Sequence, residues 1–242
     1  MPEGAVVRAI TLDVGNTLLF PHPSLGTVYA EVGRRHGWAL DPEQVEFRFD
    51  ASWRRCQTQQ TGLVYGIRHE EALEFWYAVN RAVLADRGIA AAPLRAFVED
   101  LYYTFGRACS WRTHPGLPAL LAACRSRGIP VGIISNWDLR LRALLDELGI
   151  SAWADPLLIS AEVGVEKPAP ALFQRALAAF AVPAGNVLHL GDTWTDDVLG
   201  ATACGLQAAW LNPTAKPLPQ PLPGVHDLRT LEAAVPLLGE RR

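Results

Sequence analysis

Asp13 stands at the end of a short apolar run, Ala9-Ile10-Thr11-Leu12, and Gly15-Asn16-Thr17 turns the chain directly after it. Further on come Ser135-Asn136, then Lys167-Pro168, then the acid-rich stretch Gly191-Asp192-Thr193-Trp194-Thr195-Asp196-Asp197. A carboxylate can act as a nucleophile and divide a hydrolysis into two easier displacements. Facing an anionic substrate it is repelled, so such chemistry calls for a hard cation on oxygen ligands, as Mg²⁺ takes. A lysine can neutralise the same charge, and hydroxyls such as those of Thr17 and Ser135 can donate hydrogen bonds to it. Taken one at a time, each feature has a plainer reading. A strand-end Asp forms turns or caps helices. Ser-Asn is ordinary turn chemistry, a Lys before Pro is usually a solvated charge, and the acids after Gly191 suit a helix N-terminus.

The elements that would carry these residues alternate. Residues 6–12 form a β-branched run that feeds Asp13, which predicts a strand. From Pro115-Gly116 onward the pattern predicts helix 117–128, strand 129–135, helix 138–149, strand 156–160, helix 169–180, strand 186–190, a helix near 194–204 and strand 206–212. Strands alternating with helices imply right-handed βαβ units and a parallel sheet. Residues 212–224 are proline-rich, and a last helix is expected at about 227–238. Between the first strand and this region the character differs. Residues 24–36, 42–60, 69–87 and 93–106 read as helices with no strand signal, and their Trp and Tyr side chains suit a packed bundle. The expected organisation is an α/β core of residues 1–20 and 111–242, interrupted by a helical insertion at 21–110. All four chemical features then follow strand ends, or begin a helix, where open parallel sheets place ligands.

In this order and context, LDVGNTLL, ISNWDLRL, Lys167-Pro168 and HLGDTWTDDVLGA resemble the haloacid dehalogenase superfamily, and look most similar to its branch called haloacid dehalogenase-like hydrolase domain-containing protein 3. The resemblance implies a Rossmann-like parallel sheet core with an inserted helical cap domain of the C1 type, which closes over substrate. It implies a phosphoryl transfer in which Asp13 is the nucleophile and Lys167, Ser135 and Thr17 neutralise or hydrogen-bond the anion. Ser135, Asn136 and Lys167 would lie against substrate, with Asn136 shaping its loop. Mg²⁺ would be held by Asp13, the backbone carbonyl of Gly15 and Asp192, with Asp197, or less favourably Asp196, supplying or supporting a further position.

One departure is plain. Phosphatases of this superfamily usually carry a second Asp two positions after the nucleophile, to protonate the leaving oxygen and activate water. Such help is worth about 10²–10⁴-fold, and Gly15 cannot provide it. Three readings are open. The chain can be a Mg²⁺-dependent phosphatase of a small phosphorylated molecule, its activity weak, with an acid drawn from His22, His114 or Asp138 or with a substrate whose leaving group needs little protonation. It can be a slow or non-catalytic binding protein. It can be a 2-haloacid dehalogenase, although that chemistry needs no metal and the acids at 192, 196 and 197 argue against it. Cleavage of carbon–phosphorus bonds through a lysine in the insertion is closed, because residues 21–110 contain no lysine.

The bulk composition sets outer limits. The 242 residues are half apolar with a net charge of −3, which predicts a folded core and no basic face for nucleic acid or an acidic membrane. Four scattered cysteines without metal spacing read as free thiols. Neither a signal peptide nor a run of about 20 apolar residues is evident. The expectation is a cytoplasmic protein whose partner is a small molecule; the oligomeric state is open.

Overall fold

The computed structural model describes residues 6–59 and 64–239. The outer ends of the expected core, 1–5 and 240–242, and the last residue of the helix expected at 42–60 lie outside the described residues. In chain order the strands are β1 (Ala9–Leu12), β2 (Leu19–Pro21), β3 (Trp111–Thr113), β4 (Val131–Ser135), β5 (Leu157–Ile159), β6 (Val187–Gly191), β7 (Gln207–Leu211) and β8 (Val225–Leu228). The α-helices are α1 (Leu25–Arg35), α2 (Pro42–Gln59), α3 (His69–Val83), α4 (Ala91–Thr104), α5 (Leu117–Arg127), α6 (Arg140–Glu147), α7 (Ser160–Val163), α8 (Pro170–Phe180) and α9 (Gly200–Ala203).

The chain divides into two compact units. The first, Met1–Phe20 with Thr113–Asn136 and Gly149–Arg242, is built on a six-stranded sheet ordered β5-β4-β1-β6-β7-β8, every neighbouring pair parallel. This is the α/β fold expected. β1 lies near the middle and all four of its residues are buried, as a strand covered on both faces requires. α8 packs Leu172, Phe173 and Ala176 into a core with Ala9, Ile134, Val187, Val198 and Ala208. Strand register aligns the chemistry. Leu12 pairs with Ile133 on one side and Leu190 on the other, so β1, β4 and β6 end together at one sheet edge. Asp13, Ser135 and Asp192 leave the sheet from that edge.

The second unit is Pro21–Arg112 with Trp137–Leu148. Its helices pack around Tyr29, Phe75, Val79, Phe97 and Leu101, and Trp38, Trp53 and Trp76 close over that core. Trp53 meets Phe75 edge to face with centroids 4.9 Å apart, so these aromatics are bundle packing. Segment 137–148, placed with the α/β core from sequence, groups here for a specific reason. Buried Asp138 accepts hydrogen bonds from the Tyr65 hydroxyl at 2.5 Å and from Arg140 at 2.7 Å, and Arg140 lies 3.5 Å over the Tyr102 ring.

Other expectations change locally. The segment expected as a helix at 227–238 begins in edge strand β8, and only Leu231–Leu237 winds, as a 3₁₀ helix containing Pro236. Proline removes a backbone donor and opposes a regular α-helix there. The helix expected near 194–204 is a wide π-helical turn, Trp194–Leu199, continued by α9. β2 and β3, three residues each, pair as a separate sheet at the limits of the insertion and carry no periodic signal of their own.

Candidate active site

Asp13 comes directly after β1, and its N–H donates to the Leu190 carbonyl of β6 at 2.9 Å. The residue is 7 % exposed, and its Oδ1 accepts from Lys167 Nζ at 2.6 Å. The same ammonium donates to Asp197 Oδ1 at 2.5 Å. Residues 154 and 30 positions from Lys167 thus share one buried cation. Lys167 is aimed there by its own backbone. Asn136, just past β4, accepts from the Lys167 N–H at 2.7 Å and donates to the Lys167 carbonyl at 2.9 Å. Both ends of the Asn136 amide therefore grip the lysine loop.

Asp192 comes directly after β6, half-buried, and its carbonyl accepts from Trp210 Nε1 of β7 at 2.8 Å. One carboxylate oxygen from each of Asp13, Asp192 and Asp197 lies within 4.8 Å of the other two. Asp197 is packed so closely on Gly191 that a methyl group there would overlap its carboxylate. Its Oδ2 accepts from the Thr193 N–H at 2.9 Å, and its Oδ1 also meets His189 Nε2 at 3.0 Å. Ser135 ends β4, buried. Thr17 is fully buried, and among the described residues its hydroxyl has no hydrogen-bond partner. Gly15 is half-buried and bridged to Leu19 in the turn after Asp13. Asp196 is half-buried and not one of the three converging acids.

Charge is unbalanced here. Burial pushes the Asp13 carboxyl up, and the charge of Asp197 adds to it, against the pull of Lys167. Burial, then Asp13 and Asp197, raises Asp192 to about 8. Burial and Asp197 raise Asp196 to about 6. For Asp197 the opposing charge of Lys167 and the hydrogen bond from His189 outweigh burial, and it is held well below the usual range. Lys167 is raised because its two carboxylates outweigh its burial.

Of the three groups considered as a replacement acid, His114 and Asp138 are otherwise engaged. His114 is buried, its Nδ1 accepts from the Gly116 N–H at 2.9 Å, and burial lowers its pKa. Asp138 is fixed to Arg140 and Tyr65 and held below the carboxylate range, since those partners outweigh burial. His22 is exposed in the second unit. Sequence reasoning does not connect His189 to Asp197 or to Thr11, which it meets here. A His and a Thr inside otherwise apolar buried strands are the available signal.

Residues 7–205 match the family described as haloacid dehalogenase-like hydrolase. The chain belongs to that family. Human haloacid dehalogenase-like hydrolase domain-containing protein 3 is 32% identical over 207 residues, 84% of this chain and 80% of that protein. Phosphoserine phosphatase of Thermus thermophilus is 29% identical over 230 residues, covering 87% and 91%. Pyrimidine 5'-nucleotidase YjjG of Escherichia coli is 40% identical over 100 residues, 40% of this chain and 44% of that one. The magnesium-bound HAD-hydrolase YfnB of Bacillus subtilis shares the fold, with a TM-score of 0.73 at 19% identity over 96% and 99% of the two chains. Among the described residues no helix is long and apolar enough to cross a membrane.

A hard divalent cation fits this donor set. Three carboxylates converge, two of them on one ammonium, and the two of the three whose pKa values rise, Asp13 and Asp192, are those that a cation would relieve. Asp197, with three protein donors already on its oxygens, is the support of the set.

Proposed function

We propose that this haloacid dehalogenase-like hydrolase is a Mg²⁺-dependent phosphatase of small phosphorylated molecules, with Asp13 as its nucleophile. The observation that carries the reading is one carboxylate at the end of β1, held by a buried lysine and facing two further acids. Two relatives named for phosphate ester hydrolysis, the phosphoserine phosphatase and the pyrimidine 5'-nucleotidase, support the substrate class. Asp13, Asp192 and the carbonyl of Gly15 would hold Mg²⁺, which supplies positive charge between carboxylate and phosphate.

Each side chain then has work of its own. Lys167 orients the Asp13 carboxylate and offers its charge to the phosphoryl oxygens. The unpartnered Thr17 hydroxyl and Ser135 donate to the same oxygens. Asp13 attacks phosphorus, the ester oxygen leaves with the bonding pair, and water later cleaves the acyl-phosphate. Gly15 supplies no proton to the departing oxygen, and His114 and Asp138 are committed elsewhere. Turnover is therefore expected for esters whose alcohols leave readily as anions, and to be weak for alkyl phosphates.

Purified protein with Mg²⁺, assayed on aryl and alkyl phosphates alongside Asp13→Asn, tests this. Aryl turnover well above alkyl turnover, both abolished in Asp13→Asn, is the expected result. Equal rates in the variant would reject Asp13 as nucleophile. Absence of turnover in both proteins would favour a binding function, and metal-free chloride release from 2-chloro acids would favour dehalogenation.

A further inference from the structure

Thr11 on β1 and His189 on β6 are register partners, so their side chains share one face of the sheet. Both are fully buried, in strands otherwise made of apolar residues. The Thr11 hydroxyl lies 2.8 Å from His189 Nδ1, and His189 Nε2 lies 3.0 Å from Asp197 Oδ1. The Phe173 ring packs at right angles to the imidazole, with centroids 5.2 Å apart.

Hydrogen-bond chemistry orders this chain of groups. A carboxylate has no proton to give, so Nε2 carries the hydrogen and donates to Asp197. Nδ1 is then free to accept, and the Thr11 hydroxyl donates to it, which selects that tautomer. Asp197 Oδ1 is thereby shared between the imidazole and the Lys167 ammonium, while Oδ2 is held by the Thr193 N–H. A carboxylate fixed at both oxygens cannot rotate. Lys167, 2.5 Å from it, inherits that fixed geometry and carries it to Asp13.

We infer that His189 is a positioning residue of this site: oriented by Thr11, it locks the Asp197 carboxylate and through it aims Lys167 at Asp13. The catalytic part of this inference rests on the phosphatase reading; the positioning part does not. Buried partners of this type, acting behind the groups that meet substrate, are each worth roughly 10–100-fold in activity.

Two substitutions divide the imidazole between its nitrogens. In His189→Gln the amide reaches the place of Nε2 and keeps a donor to Asp197. In His189→Asn the shorter amide reaches the place of Nδ1, keeps the Thr11 contact and leaves Asp197 Oδ1 to Lys167 alone. Two readouts are taken. The first is kcat and KM on an aryl phosphate. The second is the ¹⁵Nζ ammonium spectrum, which is simple because Lys167 and Lys216 are the only lysines, and Lys216→Arg assigns it. The expected result is near wild-type kcat and a retained, slowly exchanging Lys167 signal for the Gln variant. For the Asn variant, kcat falls roughly 10–100-fold with a smaller change in KM, and the Lys167 signal is lost to fast exchange. Gln and Asn behaving alike overturns the inference, as does lost activity in Asn with an unchanged Lys167 signal. If the Asn variant fails to fold, Thr11→Val replaces it. That variant keeps shape and removes the tautomer lock, and it must shift the Lys167 signal or the inference fails. If wild type shows no phosphatase activity, the phosphatase reading fails while the ammonium spectra still decide the positioning.

Discussion

At the scale of single residues, the proposed chemistry turns on Gly15, which has no side chain to act as an acid. It lies two positions after Asp13, the proposed nucleophile, half-buried and without a proton to give. Gly15→Asp is therefore expected to raise alkyl phosphate turnover by about 10²-fold, the lower end of what acid–base help contributes, and to change aryl turnover little. Phosphate release from matched alkyl and aryl esters measures this; unchanged alkyl rates would show that the slot alone is not what limits them. Residue types are well legible from sequence here. Asp13 and Asp192 follow strand ends, and they lie close to Asp197 in the turn after β6 and to Lys167 in the loop before α8. Which group holds which is not legible. That Asn136 grips the Lys167 backbone, or that Thr11 faces His189, depends on the register of strands far apart in sequence.

At the scale of elements, β6 and the wide turn after it set the acids. Gly191 ends the strand, and the Asp197 carboxylate occupies the space where any other residue would carry a side chain. Gly191→Ala must push that carboxylate away from Lys167. Activity is expected to fall roughly 10–100-fold, with a stability loss of about 1–3 kcal/mol from overpacking. Steady-state kinetics and urea unfolding of the one variant measure both; an active, equally stable variant would mean that Asp197 has room to spare. Buried or strongly patterned elements are legible from sequence: β1 from its β-branched run, α8 after Pro168 and Pro170, α5 up to Gly128. Short or half-exposed ones are not. β8 is an edge strand with no fully buried residue, so its Val-His-Asp-Leu shows no alternation to separate it from a helix start.

At the scale of the whole molecule, the two units keep separate cores, and the second draws in residues 137–148 where Tyr65 donates to the buried Asp138–Arg140 pair and Tyr102 lies under Arg140. That pair sets a pH dependence. Burial pushes the Asp138 carboxyl up, but Arg140 and the Tyr65 hydroxyl outweigh it, so its folded pKa lies below its unfolded value. The resulting stability is complete above the unfolded pKa of about 4 and drains away as pH falls through the folded value. Asp138→Asn, which leaves Arg140 buried without its counter-charge, is expected to cost about 3–5 kcal/mol at neutral pH. It should also lose less on acidification than wild type, as read by urea midpoints between about pH 5 and pH 3. Parallel acid profiles would remove Asp138 as the source.

The central claim is that Asp13 itself takes up the phosphoryl group. Acid quench during turnover of an aryl phosphate, followed by borohydride reduction, converts an aspartyl phosphate to homoserine, which peptide mass spectrometry locates. Homoserine at position 13, absent without substrate, is the predicted result. Sustained turnover with position 13 unmodified, or with the adduct on another carboxylate, would contradict it.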